Sequence, residues 1–197
     1  MVPILEELET YASIHHIPIM QQDGIAFLEQ YIKEHHVKSI LEIGSAIGYS
    51  AIRMALLSQD IHVDTVERDE IRYQEAVKNI QKAGLEDQIT IYLKDAFDLQ
   101  VESSYDLIFI DAAKSQYIKF FEKFKTNLKP DGTIISDNLA FHGLVQASEV
   151  EEENLSRNVR GLVRKLRKYI TFLEENEEFE TTFLNVGDGI GVTVRKK

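Results

Sequence analysis

The 197-residue sequence predicts an α/β fold in which helices cover both faces of a mostly parallel sheet, and three observations carry that expectation. Apolar runs of strand length alternate five times with stretches of helical periodicity, the pattern of right-handed βαβ units. Leu107-Ile108-Phe109-Ile110 is apolar throughout, as suits a strand covered on both faces. That run stops at Asp111, and Gly132-Thr133-Ile134-Ile135-Ser136 stops at Asp137-Asn138. Carboxylates there sit at the carboxyl edge of the strands, where open α/β sheets bind their ligands. A lone strand-end Asp equally well caps the next helix; two such strands delivering hard oxygen atoms to one edge read as a site.

In chain order, Ile4, Leu5, Leu8 and Tyr11 recur at helical spacing and place a short amphipathic helix over residues 2–13. Pro18 forces an extended or turn conformation on its predecessor, and a second helix follows over 23–35, with Asp23 as N-cap and Ile25, Leu28 and Ile32 inward. A buried strand over 38–43 turns through Gly44-Ser45-Ala46-Ile47-Gly48 into a helix reaching residue 58. The next strand, 61–66, ends in Glu67; Asp69 then caps a helix running to Ala83, which Gly84 stops. A third strand over 88–93 leads to Asp95-Ala96. After the strand ending at Asp111, a helix over 114–128 closes at Pro130-Asp131-Gly132, and the fifth strand follows. A long helix covers 158–174, and strands 179–184 and 191–194, joined by Asn185-Val186-Gly187-Asp188-Gly189, form an antiparallel hairpin.

The length favours a single domain, 1–197, in which N-terminal helices within residues 1–36 pack on a core of 37–197. Without cysteine there is no disulfide framework, no thiolate nucleophile and no Cys-based zinc site. A net charge of −11 argues against indiscriminate nucleic-acid binding while leaving room for a local basic patch. No apolar run approaches bilayer-spanning length and the N-terminus is acidic, so the expectation is a cytoplasmic protein with no membrane partner.

The first strand-to-helix loop lacks the second glycine of the dinucleotide fingerprint, and it has no P-loop lysine. Glu42 would repel phosphate and attract a cation, while Glu67 is placed to accept from ribose hydroxyls. A nucleoside with a positively charged tail fits these features better than NAD.

Leu-Glu-Ile-Gly-Ser-Ala-Ile-Gly-Tyr-Ser, then Val-Glu-Arg-Asp, Asp95-Ala96, Phe-Ile-Asp-Ala-Ala-Lys and Ser-Asp-Asn follow one another in order. Together they resemble the class I S-adenosylmethionine-dependent O-methyltransferases of the catechol and caffeoyl-CoA type. The resemblance implies a Rossmann-like, seven-stranded sheet with the last strand antiparallel, which agrees with the hairpin. It places Glu42 near the methionine amino group, Gly44 and Ser50 at the methionine end, Glu67 at the ribose diol and Asp95 and Ala96 at the adenine. Met20 falls where the family sets a residue over S-adenosyl-L-methionine, which Asp111 also adjoins. Asp111, Asp137 and Asn138 match the family's divalent-metal ligands, Lys114 its general base, and a homodimer is implied as well.

Two carboxylates and an amide oxygen suit octahedral Mg²⁺, with Mn²⁺ acceptable, and leave positions for two substrate oxygens. Such an ion lowers the acceptor hydroxyl's pKa and aims it. Lys114 could take the proton if its site depresses its pKa; otherwise it is a solvated lysine or the ion-pair partner of Asp111. His15-His16 and His35-His36 have no third ligand at suitable spacing and read as surface or turn residues, while His142, soon after Asn138, is a weaker substrate contact.

Arg157, Arg160, Arg164, Lys165, Arg167 and Lys168 crowd one helix, with 157, 160, 164 and 167/168 on a shared face. Such a stripe grips phosphates, or else it is a solvated face paired with the glutamates of 149–153, Glu174 or Glu175. His-x-Ile-Pro-Ile-Met, Gly-Tyr-Ser-Ala-Ile-Arg-Met-Ala and Arg-Asn-Val-Arg-Gly resemble the bacterial tRNA 5-hydroxyuridine methyltransferases, which make 5-methoxyuridine at the wobble position. That branch implies a tRNA anticodon stem-loop as partner, its wobble base offering vicinal oxygens as a catechol does. The alternative acceptor is a small phenolic, a catechol or a hydroxycinnamoyl compound.

Overall fold

The computed structural model describes residues 3–140, 143–146 and 154–197. Seven strands, β1 (Ser39–Ile43), β2 (His62–Glu67), β3 (Ile89–Leu93), β4 (Tyr105–Ile110), β5 (Leu128–Ser136), β6 (Phe179–Leu184) and β7 (Ile190–Arg195), form one sheet in the order β3-β2-β1-β4-β5-β7-β6. The first five are parallel; β7 runs antiparallel to both β5 and β6. The predicted architecture, with its antiparallel last strand, is the observed one.

Alternation along the strands divides the interior in two. Ile40, Leu107, Phe109 and Ile135 point to one face, where α1 (Pro3–Ile14), α2 (Gln22–Glu34), α3 (Tyr49–Ala55) and α4 (Glu70–Ala83) cover them. Leu41, Ile43, Ile108, Ile110 and Ile134 point to the other, under α5 (Tyr117–Phe124) and α6 (Arg157–Glu174). All of these strand residues are fully buried, and each contributes about 1.5–3 kcal/mol through burial of its side chain. Among the described residues, no helix is long and apolar enough to cross a membrane.

Three local expectations are corrected. Asp23 is not the N-cap of α2; Gln21 is, and Asp23 lies in the first turn. Its carboxylate accepts from Gly24 N and from Gly187 N, both at 3.0 Å, and so ties α2 to the β6–β7 loop. Pro130-Asp131-Gly132 is not a turn ahead of the fifth strand but part of β5. The pairing with β4 jumps from Tyr105↔Leu128 to Leu107↔Thr133, an irregularity of the kind that lets a strand hold a proline. The helix expected over 114–128 is broken into a 3-10 turn at Lys114–Gln116, α5, and a second 3-10 turn at Lys125–Asn127. By contrast, Asp69 caps α4 by accepting from Arg72 N at 2.9 Å, and Gly84 ends it with φ 68°.

The loops at the carboxyl ends of β1, β4 and β5 are pressed together. Gly44 has φ 104°, and a Cβ on it would stand 2.1 Å from the Asp111 carbonyl oxygen. Asp111 N donates to Ile43 O at 3.0 Å and Asp137 N to Ile110 O at 3.1 Å, extending the ladders one residue beyond the strands.

Candidate active site

Along this edge opens a cleft of about 430 Å³, lined among others by Met20, Gly44, Ser45, Ser50, Glu67, Asp95, Ala96, Asp111, Lys114 and Asn138. Its size is that of a small-molecule site. Glu42 is fully buried behind the cleft-lining Ile43, Gly44 and Ser50 and does not itself line the cleft; Ser50 Oγ and Thr65 Oγ1 donate to its two carboxylate oxygens, each at 2.5 Å. Burial drives its pKa up to about 7; the two hydroxyls oppose the rise, and the charges of Asp111 and Glu67 add to it. A nearby positive group would relieve that burial.

Glu67 Oε1 accepts from Arg68 N and Asp69 N at 2.8 Å, and Oε2 from Ala46 N at 2.9 Å. These three bonds fix the carboxylate's direction, and Oε2, with one donor, retains accepting capacity for a further hydroxyl. Ser45 Oγ is buried and makes no hydrogen bond among the described residues. Asp95 Oδ1 is engaged by Phe97 N at 2.9 Å, while Oδ2 stands 3.9 Å from Arg68 Nη1. Met20 is 5 % exposed, and with Pro18 and Ile19 it lines the cleft, so this interhelical segment is a wall of the pocket.

At the other end of the cleft the strand-end residues converge. Asn138 takes the left-handed conformation, φ 63°. Its amide Nδ2 lies 3.0 Å from Asp111 Oδ1 and 2.9 Å from Asp137 Oδ2, so one amide bridges carboxylates carried by two neighbouring strands. Burial raises the Asp111 carboxyl against the pull of Lys114 and Asn138. Burial, then the negative charge of Asp111, pushes Asp137 to about 7. The buried Asp137 carboxylate and the half-buried Asp111 carboxylate, in mutual repulsion beside an amide, form a group whose charge a divalent cation would neutralise. Among the described residues no trio of His, Asp or Glu side chains is arranged to hold a metal; Asn138 Nδ2 donates to both carboxylates, and its amide would have to turn to present an oxygen to a cation between them. Tyr117 supports the group by donating to the Asp137 carbonyl at 3.1 Å.

The basic helix lies apart from this pocket, although α6 packs against the turn that carries Lys114. Arg157, Arg160, Arg164, Lys165 and Lys168 are exposed. Arg167 departs from the expected stripe: it is half-buried, and its Nε donates to Val145 O at 2.8 Å. His15, His16, His35 and His36 are exposed, and His16 and His36 have positive φ in the turns that close α1 and α2. His142 and the glutamates of 149–153 lie outside the described residues.

A family model described as O-methyltransferase matches residues 1–197, the full length. The chain belongs to the O-methyltransferase family. It is thus an S-adenosylmethionine-dependent O-methyltransferase, a transferase. The flavonoid 3′,5′-methyltransferase of Vitis vinifera is 31% identical over 96% of this chain and 82% of its own length. A Staphylococcus aureus protein provisionally described as a caffeoyl-CoA O-methyltransferase has a crystal structure with TM-score 0.92 and 38% identity, covering 98% of this chain and 92% of that one. An O-methyltransferase from Bacillus cereus, solved with S-adenosylhomocysteine, matches with TM-score 0.81 and 27% identity over 100% of this chain and 93% of that one.

Some residues in and behind the cleft escaped the sequence reading. Thr65, which shares Glu42 with Ser50, pairs with Glu42 across β1 and β2, a register that strand alternation alone does not reveal. Tyr49, Arg68, Phe97 and Phe120 also line the cleft. Their residue types carry no chemical signature, and only the folded loops bring them there.

Proposed function

We propose that this O-methyltransferase moves the methyl group of S-adenosylmethionine to a hydroxyl flanked by a second oxygen, using a divalent cation held by Asp111, Asp137 and Asn138. The observation that carries this reading is the convergence of carboxylates from two strands within 3.0 Å of one point, now filled by the donating Asn138 Nδ2, beside a nucleoside-sized cleft; a cation there would meet the amide oxygen once the amide turns. The donor fits the other end. Glu42 would face the methionine ammonium with Gly44, Ser45 and Ser50 around it, Glu67 would accept from the ribose, Asp95 and Ala96 would border the adenine, and Met20 would cover it. The S-adenosylhomocysteine in the Bacillus cereus relative supports S-adenosylmethionine as the donor.

When bound, the donor supplies an electrophilic sulfonium methyl and the cation acidifies the acceptor hydroxyl. The chain's own part is to position and to move a proton. Asp111 and Asp137 would hold the cation as carboxylates, and Lys114, which lines the cleft beside Asp111, would take the proton leaving the acceptor oxygen once its own amine is unprotonated. The acceptor oxygen bonds to the methyl carbon as the carbon–sulfur bond breaks, its electron pair leaving with sulfur. Holding the two reactants in line is the larger share of the rate gain.

The acceptor we favour is a small phenolic with vicinal oxygens, the class named for the flavonoid and caffeoyl-CoA relatives. One observation favours a second reading, 5-hydroxyuridine in a tRNA anticodon loop: Arg157, Arg160, Arg164 and Lys168 are exposed on the helix that packs against the Lys114 turn, in a chain of net charge −11. Labelled donor and Mg²⁺ are offered with catechol, caffeoyl-CoA or undermodified tRNA, using wild type and Arg160→Glu/Arg164→Glu. Label in the phenolics, undiminished by the charge reversal, is expected. Label in tRNA alone, lost on reversal, establishes the second reading; label in none contradicts both.

A further inference from the structure

Tyr49 opens α3 directly after Gly48, is 2 % exposed, and lines the cleft. A phenylalanine ring would fill the same space, yet this side chain carries a hydroxyl that would be costly to bury unpaired. That hydroxyl is where three helices meet. It donates to Glu9 Oε1 of α1 at 2.7 Å and accepts from Arg53 Nη1 of α3 at 2.8 Å. Gln22 Nε2 of α2 donates to the same Glu9 oxygen at 2.9 Å and reaches the Tyr49 hydroxyl at 3.3 Å. Arg53 Nε binds Glu29 Oε1, also on α2, at 2.5 Å. The Tyr49 bond is the main reason Glu9 is held below the usual carboxylate range, and burial raises the Tyr49 phenol. The sense of the bond is therefore fixed at neutral pH: a neutral phenol donates to an ionised carboxylate.

The chain between α1 and α2 carries Pro18, Ile19 and Met20, which line the same cleft as the Tyr49 ring. Both helices that flank this wall are fastened to one hydroxyl. We propose that Glu9, acting through Tyr49, is a positioning residue for the methyl donor: the junction holds the wall of residues 18–20 against the cleft, so a side chain of the first helix sets donor affinity. This rests on the reading of the cleft as the S-adenosylmethionine site. It goes beyond that reading by making α1 a working part of the site.

The test is calorimetric titration with S-adenosylmethionine and S-adenosylhomocysteine of wild type, Tyr49→Phe, Glu9→Ala and Glu9→Gln, with the melting temperature of each measured alongside. Tyr49→Phe keeps the ring, and Glu9→Gln keeps an oxygen that can accept from the phenol. Losing one such charge-assisted bond is expected to raise Kd roughly 5- to 30-fold in Tyr49→Phe and Glu9→Ala. Glu9→Gln should recover most of the affinity, because a bond that positions the ring depends on the acceptor oxygen more than on full charge. A junction that only stabilises the fold would lower the melting temperature and leave Kd unchanged; that result overturns the proposal. Wild type that binds neither ligand removes the cleft assignment itself, a different failure from tight binding by every variant.

Discussion

Glu42 supplies a stability prediction with a definite sign. It is fully buried, held by two hydroxyls, and its pKa rises from 4.5 to about 7 because burial disfavours its charge. The folded protein thus binds this proton more tightly than the unfolded chain does. The stability it contributes is fully present below the unfolded value and is lost as pH climbs through about 7. At 1.36 kcal/mol per pH unit the loss comes to about 3 kcal/mol. Asp137, also raised to about 7, acts in the same direction. Glu42→Gln keeps the shape, and its amide can still exchange hydrogen bonds with the Ser50 and Thr65 hydroxyls, but it cannot titrate. Urea unfolding without donor or metal, between about pH 5 and pH 8, should show wild type weakening as pH rises. Glu42→Gln should weaken by about 2.5 kcal/mol less over that span, part of the loss having already occurred below pH 5, leaving the Asp137 share. The same pH dependence in both proteins would refute the reasoning, since it would mean that Glu42 does not carry the proton.

Two further outcomes follow from the packed loops and the paired carboxylates. Gly44→Ala forces a side chain into φ 104° and a Cβ to 2.1 Å from the Asp111 carbonyl. Conformational strain and the clash together cost roughly 2–6 kcal/mol, so the melting temperature should fall by about 10 °C and cation affinity with it, as Asp111 is pushed aside; a wild-type melting curve would count against this close approach. Because Asp137 titrates at about 7 and a cation needs it ionised, Mn²⁺ affinity should rise from about pH 6 to pH 8 with release of protons. Titrations at the two pH values check this, and equal affinities would be the adverse result.

What could be read from the residues was whatever is written locally. An apolar run that stops at Asp111 or Asp137 declares a strand and its edge without reference to the rest of the chain, and so do Asp69 and Gly84 at the ends of α4. The misses have a common cause in long-range pairing. Asp23 looks like a cap until the β6–β7 loop arrives and offers Gly187 N, 164 residues away in sequence. Pro130 looks like a strand breaker until the register of β5 slips to absorb it. Arg167 looks like one more cation of a stripe until the Val145 carbonyl takes it. In the same way Asp111, Asp137 and Asn138 were legible as strand-end residues, but the amide bridging two carboxylates was not, because Asn138 reaches both only from a left-handed turn.

The central claim is that Asp111, Asp137 and Asn138 together hold one divalent cation, and the most direct measurement is a Mn²⁺ titration followed by electron paramagnetic resonance on wild type and Asp137→Ala. Wild type should remove one equivalent of Mn²⁺ from the free pool, and Asp137→Ala, still folded by circular dichroism, should remove none. Equal uptake by the two proteins, or no uptake by wild type, would contradict it.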